Sequence, residues 1–181
     1  MPFDFKKTPL KGLLLIQPRF FEDERGFFME TYKKSDFVRA GISENFTQDN
    51  HSYSSKGVLR GIHFQKDPHA QGKLVRCVKG AVWDVAVDLR PKSETFGHWY
   101  GTEISEGNKT MLYVPPDFGH GFVTLQDNTH FLYKCTNEYN PDADSGIIWN
   151  DSDLNIDWPL KDGLSLSDKD LVLQTFKEFK E

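Results

Sequence analysis

Cysteine is nearly missing from this chain of 181 residues, which carries only Cys77 and Cys135. The two stand in separate strand-like runs, not in a CxxC pair, so neither a disulfide scaffold nor a thiolate metal knuckle is expected. Two small buried thiols in a reduced compartment fit better. Long apolar runs are missing too. "LLLI" near the N-terminus is far too short for a signal-peptide core or a membrane span, and no small-residue cleavage site follows it, so a cytoplasmic location is expected. Positive charge is not in excess: 22 Lys and Arg against 27 Asp and Glu leave a net charge of -5. That balance argues against general affinity for nucleic acid or anionic membrane, although a local basic pocket could still take a small anion. Internal repeats and low-complexity linkers are also lacking, so residues 1–181 read as one domain.

What is present is apolar and aromatic. The hydrophobic share is 38%, the aromatic share 14%, and 15 Phe are spread along the chain, enough for a packed interior. Short segments alternate with period two between clusters of Gly, Pro, Asn and Asp. Candidate strands are "RGFFMETY", "GVLRGIHFQ", "QGKLVRCVKG", "AVWDVAVDL", "GHWYGTEIS", "KTMLYVP", "GHGFVTLQ" and "HFLYKCTNEY". The spacing predicts a mainly β barrel or sandwich. Two helices are expected: a short one near "SDFVRAG", with Ser35 as N-cap and Gly41 just past its end, and a C-terminal one starting near Ser167.

Chemistry-bearing residues interrupt the apolar alternation. In "QGKLVRCVKG", Lys73 shares a face with Val75 and Cys77, either as a snorkelling strand-end lysine or as a cation turned inward. His63 lies one loop earlier, and a hairpin-like return would bring it beside Lys73, where a neighbouring ammonium keeps an imidazole neutral and basic. No HxH pair or nearby glutamate surrounds His63, and Lys73 would repel a divalent cation, so no metal site is expected. His120, after the Pro-Pro turn of "PPDFGHGFV", is placed at the start of a strand. Strict alternation would set Arg60 and His63 on opposite faces unless Gly61 permits a bulge. On the residues alone, Tyr133 reads as an ordinary strand tyrosine, and Asp170, three residues after Ser167, as a helix-capping carboxylate.

Six separated motifs occur in order: "FEDERGFFMETY", "QDNHSYSSKGVLRGIHFQ", "QGKLVRCVKGAVWDVAVDLR", "GHGFVTL", "FLYKCTN" and "WNDSDLNIDWP". Through them the chain resembles the dTDP-4-dehydrorhamnose 3,5-epimerase family of the cupin superfamily. The resemblance implies a cupin-type β-barrel (jelly roll) with a few short peripheral helices, and no cofactor. It implies epimerisation of dTDP-4-dehydro-6-deoxy-D-glucose at C3 and C5 through enolate intermediates, on the route to dTDP-L-rhamnose. His63 matches the family's base, Tyr133 its proton donor, Lys73 the cation near the enolate oxygen, and Asp170 the carboxylate paired with the histidine. Arg25, Glu30, Gln48, Asp49, Asn50, Arg60, His120, Asp144 and Lys169 match nucleotide-sugar contacts, and Tyr139 the ring that stacks on thymine. The family pattern departs at Asp144, where relatives can carry glutamate, and at Ser152, where a proline is common. A homodimer is implied, its N-terminal segment crossing to the neighbour and bringing Arg25 and Glu30 within reach of the partner's pocket. The rival readings are a mono-epimerase or ketoisomerase of a related nucleotide keto-sugar, and a non-catalytic sugar-binding cupin.

Overall fold

The structure is a computed structural model that describes residues 2–181. In chain order it comprises β1 (Phe3–Lys7), β2 (Leu14–Pro18), β3 (Phe20–Asp23), β4 (Gly26–Met29), α1 (Lys34–Arg39), β5 (Gln48–Ser54), β6 (Leu59–Gln65), β7 (Lys73–Lys79), β8 (Ala81–Asp88), β9 (Trp99–Ser105), β10 (Met111–Val114), β11 (Phe118–Thr124), β12 (Thr129–Cys135), β13 (Asp144–Gly146), α2 (Asp168–Leu171) and α3 (Phe176–Lys180). A six-stranded sheet runs β1-β2-β10-β7-β12-β5, and a five-stranded sheet runs β13-β6-β11-β8-β9. Strands β3 and β4 form a separate hairpin.

From β5 onward, successive strands mostly alternate between the two main sheets: β6, β8, β9, β11 and β13 in one, β5, β7, β10 and β12 in the other. The turns at "VKGAV", "SEGNK" and "LQDNT" therefore pass from sheet to sheet instead of closing hairpins within one, which is the winding of a jelly roll. The expected hairpin-like return from β6 to β7 is corrected by this topology. His63 and Lys73 stand on opposite walls, not on neighbouring strands.

Strand alternation sends residues into three apolar layers. The inner face of β8 gives Val82 and Ala86 to a core between the sheets that also contains Val75, Cys77, Phe118, Phe122 and Phe131. Its other face gives Val85 and Val87 to a second core, under Ile147, Leu154, Trp158 and Phe176 of the C-terminal segment. Being covered on both faces makes "AVWDVAVDL" a nearly continuous apolar run. A third core lies on the far side of the six-stranded sheet, where α1 buries Phe37 against Phe3, Ile16, Leu74 and Met111.

The helices differ in detail from expectation. Ser35 lies inside α1, whose N-cap is Lys33, while Gly41 does follow the helix with φ +93°. The C-terminal helix starts after Ser167 as expected but ends after one turn. A second short helix begins at Phe176, held by a capping box between Thr175 and Glu178. His120 is the third residue of β11, not its first.

Candidate active site

A cavity of 490 Å³ opens between the two sheets. Gln48, Asn50, Arg60, His63, Lys73, His120, Tyr133, Tyr139, Asp144, Lys169 and Asp170 all line it. Arg60 and His63 share this wall because β6 carries a bulge. On β11, His120 pairs with His63 and Phe122 with Arg60, so three steps on β6 match two on β11. The slip turns Leu59 and Ile62 into the outer core and leaves Arg60 and His63 facing in. Gly61 permits it, with φ +116°, and a Cβ there would stand 2.6 Å from Gly121 Cα and 2.7 Å from the His120 carbonyl oxygen.

Asp170 unites two roles. Its Oδ1 accepts the Gly61 N–H at 3.1 Å and lies 2.6 Å from Nε2 of His63, while its Oδ2 accepts the Ser167 hydroxyl at 2.6 Å. The Asp170 N–H in turn donates to Ser167 Oγ at 3.3 Å, so the same pair caps α2. Burial pushes the Asp170 carboxyl up, but the bonds from His63, Ser167 and Gly61 outweigh it and hold it well below the usual carboxylate range. Asp170 is therefore an anion fixed against the imidazole.

On the opposite wall, Lys73 and Tyr133 belong to adjacent strands, with Tyr133 paired to Val75 and Cys135 to Lys73. Lys73 has no ion-pair partner within 4.0 Å among the described residues. Burial lowers its pKa, and the nearby Cys135, Asp84 and Asp144 oppose that shift. Tyr133 is shifted up by burial and by Cys135, against the pull of the Arg60 guanidinium. It stays protonated at neutral pH, which a proton donor requires.

At the mouth, Asp144 accepts the Tyr139 hydroxyl at 2.8 Å and also contacts the Lys169 ammonium. Gln48 Oε1 accepts the Tyr139 N–H at 2.8 Å. Tyr139 is 56% exposed, so one face of its ring is open to a flat ligand.

Three expected contacts lie elsewhere in this chain. Asp49 sits between Gln48 and Asn50, and alternation turns it to the other face of β5, where it pairs with Lys134 at 2.8 Å. It lines a neighbouring cavity with Thr31, His51 and Arg76. Arg25 is at the exposed tip of the β3–β4 hairpin, paired with Asp23. Glu30 follows β4, its Oε2 buried without a hydrogen-bond partner among the described residues.

Two site residues escaped the sequence. Gln65 braces the loop bearing Tyr139 through the carbonyls of His69 and Glu138 and the Asn140 N–H. Asp84, fully buried, has its carboxylate against Nε2 of His120. Its signal was a carboxylate in the middle of an apolar strand. Among the described residues, no group of three or more His, Cys, Asp or Glu side chains is arranged to hold a metal ion. No described helix is long and apolar enough to cross a membrane.

Comparison with known proteins gives concordant results. A family model described as dTDP-4-dehydrorhamnose 3,5-epimerase matches residues 7–178. The chain is 51% identical over 173 residues to the dTDP-4-dehydrorhamnose 3,5-epimerase of Escherichia coli, covering 95% of this chain and 94% of the relative. A crystal structure of dTDP-6-deoxy-D-glucose-3,5-epimerase from Legionella pneumophila, in complex with dTDP-4-keto-L-rhamnose, superposes with a TM-score of 0.93 at 42% identity, over 96% of this chain and 92% of that one. A 3'-monoepimerase from Streptomyces bikiniensis, in complex with dTDP-quinovose, superposes with a TM-score of 0.87 at 32% identity, over 93% and 85%.

Proposed function

The chain belongs to the dTDP-4-dehydrorhamnose 3,5-epimerase family, and from that premise we propose that it inverts C3 and C5 of dTDP-4-dehydro-6-deoxy-D-glucose, giving dTDP-4-dehydro-L-rhamnose for dTDP-L-rhamnose synthesis. It is an isomerase. The observation that carries the reaction is the opposition of walls: the His63–Asp170 pair on the five-stranded side, Lys73 and Tyr133 on the six-stranded side of one cavity.

Inversion needs that opposition. The protons at C3 and C5 are acidic because each carbon adjoins the C4 ketone. Nε2 of His63 is occupied by Asp170, which leaves Nδ1 to take the proton. As the C–H bond breaks, its electron pair forms a carbon–carbon double bond and the carbonyl pair moves to oxygen. Lys73 meets that enolate oxygen, a contribution of about 10²–10³ in rate for a preorganised donor. The enolate then collapses, and its carbon takes the Tyr133 hydroxyl proton from the opposite face. Such acid or base steps contribute about 10²–10⁴ each. The phenolate recovers a proton from solvent, His63 releases its own, and the site is reset. Arg60, Lys169, Gln48 and Asn50 offer cations and amides to the diphosphate and ribose, and Tyr139 an open ring face to thymine.

The working form is a homodimer. Phe21 and Phe28 of the β3–β4 hairpin are 66% and 68% exposed, a cost in water that a second copy relieves by covering them. Arg25 at the hairpin tip and Glu30, whose Oε2 has no hydrogen-bond partner among the described residues, then come within reach of the partner's cavity. Light scattering should give twice the monomer mass, and Phe21→Glu with Phe28→Glu should lower it.

The deciding experiment is turnover of the keto-sugar in deuterium oxide, followed by NMR of the product. Deuterium at both C3 and C5, with both centres inverted, is expected. Label and inversion at C3 alone would make the enzyme a mono-epimerase, and no label would remove it from catalysis.

A further inference from the structure

Asp84 takes no part in the chemistry above, yet it lies in the middle of β8 on the inward face, between Val82 and Ala86 of the inner core. It is 0% exposed. A carboxylate in such surroundings is strongly destabilising unless a partner satisfies it. Its partner is His120, 6% exposed, whose Nε2 stands 3.0 Å and 2.8 Å from the two carboxylate oxygens. His120 faces the cavity and is the direct cross-strand neighbour of His63. The cavity wall thus carries two imidazoles on adjacent strands, each with Nε2 held by a buried aspartate, His63 by Asp170 and His120 by Asp84.

We propose that Asp84 is a positioning residue for the epimerase: by accepting the Nε2–H of His120 it fixes which ring nitrogen is protonated and turns Nδ1 toward the bound nucleotide sugar. Among the described residues the carboxylate of Asp84 is the only hydrogen-bond partner of the His120 ring, so it is the group that sets the ring. A histidine whose second nitrogen is held by a carboxylate loses about 10–100-fold in function when that support is removed, by analogy with metal-bound histidines. The inference rests on the functional reading above, because it needs a ligand in contact with His120.

The test is a double-mutant cycle on purified full-length protein. Asp84→Asn should lower kcat/KM by about 10–100-fold. His120→Ala should do as much, and the double variant should be no worse than His120→Ala by more than about threefold, since Asp84 acts through the ring. A twofold or smaller effect of Asp84→Asn, or losses that multiply in the double variant, would overturn the inference. Should Asp84→Asn fail to fold, 15N NMR of the histidines in the wild-type protein decides: a protonated Nε2 on His120 is expected, and a neutral ring with the proton on Nδ1 refutes it. Wild-type turnover in the same assay tests the functional reading separately, and the NMR measurement needs no substrate.

Discussion

His63 of β6 and Asp170 of α2, 107 residues apart in the chain, meet with Nε2 2.6 Å from Oδ1, and the same carboxylate oxygen also accepts the Gly61 N–H. The aspartate therefore fixes both the ring and the backbone of the bulge that presents it. His63→Asn should fold with an unchanged circular dichroism spectrum and keep its affinity for dTDP, while kcat falls by about 10²–10⁴. Stopped NMR assays and calorimetric titration with dTDP check the two halves. Turnover near the wild-type rate would remove His63 as the base.

Under the proposed mechanism, Lys73 sets the alkaline limit of the reaction. Burial lowers its pKa below the ordinary lysine value, so as pH rises its charge is lost before that of a free lysine, whereas Tyr133 is shifted up and stays protonated longer. The alkaline limb of kcat/KM should follow Lys73. Lys73→Arg, whose guanidinium stays charged above pH about 12, should move that limb upward even where it reduces the maximal rate. A limb that stays in place assigns it to another group.

The bulge is equally open to test. Gly61→Ala puts a methyl 2.6 Å from Gly121 Cα at a positive φ, where the neighbouring strand's backbone cannot retreat. Urea unfolding should show a loss of about 2–4 kcal/mol, with activity lost alongside because Arg60 and His63 no longer share a wall.

Asp88 contributes to acid stability. Burial raises its carboxyl, but bonds from Arg90, Ser93 and Thr95 prevail and hold it at about 2. Its folded pKa lies below the unfolded value near 3.8, so it stabilises the fold above that value and the effect fades as pH falls toward 2. Asp88→Asn should cost about 2 kcal/mol at pH 7, and urea melts of the two proteins should converge as pH falls toward 2.

Much of this was legible in the sequence, and the rest was hidden for identifiable reasons. Alternation correctly put Lys73, Val75 and Cys77 on one face, because β7 is regular from Lys73 to Cys77 and slips against β12 only beyond that, before Lys79. Strict alternation fails at Arg60, where one extra residue in β6 changes the phase; Gly61 marked where a bulge could sit, and the pairing with β11 shows that it does. It was not applied at Asp49: three consecutive residues of one strand cannot all face one cavity. The strands β1, β2, β3, β5 and β13 were missed, β5 because "QDNHSYS" is polar on an edge and lacks the apolar rhythm. The sheet assignment of each strand was beyond local pattern, since a turn looks the same whether it closes a hairpin or crosses between sheets.

Tyr133 separates proton exchange from inversion. It stands on the wall opposite His63, with Cys135 two residues along β12 and the Arg60 guanidinium across the cavity. If it delivers the proton to the far face, removing its hydroxyl leaves the base and the enolate stabiliser intact. Tyr133→Phe should then bind dTDP like the wild type and, in deuterium oxide, wash deuterium into unreacted keto-sugar through His63, while inversion falls by about 10²-fold or more. Mass spectrometry counts the deuterons, and NMR reports their position and the configuration. Full inversion at both centres by Tyr133→Phe would show that another group, or water, supplies the proton.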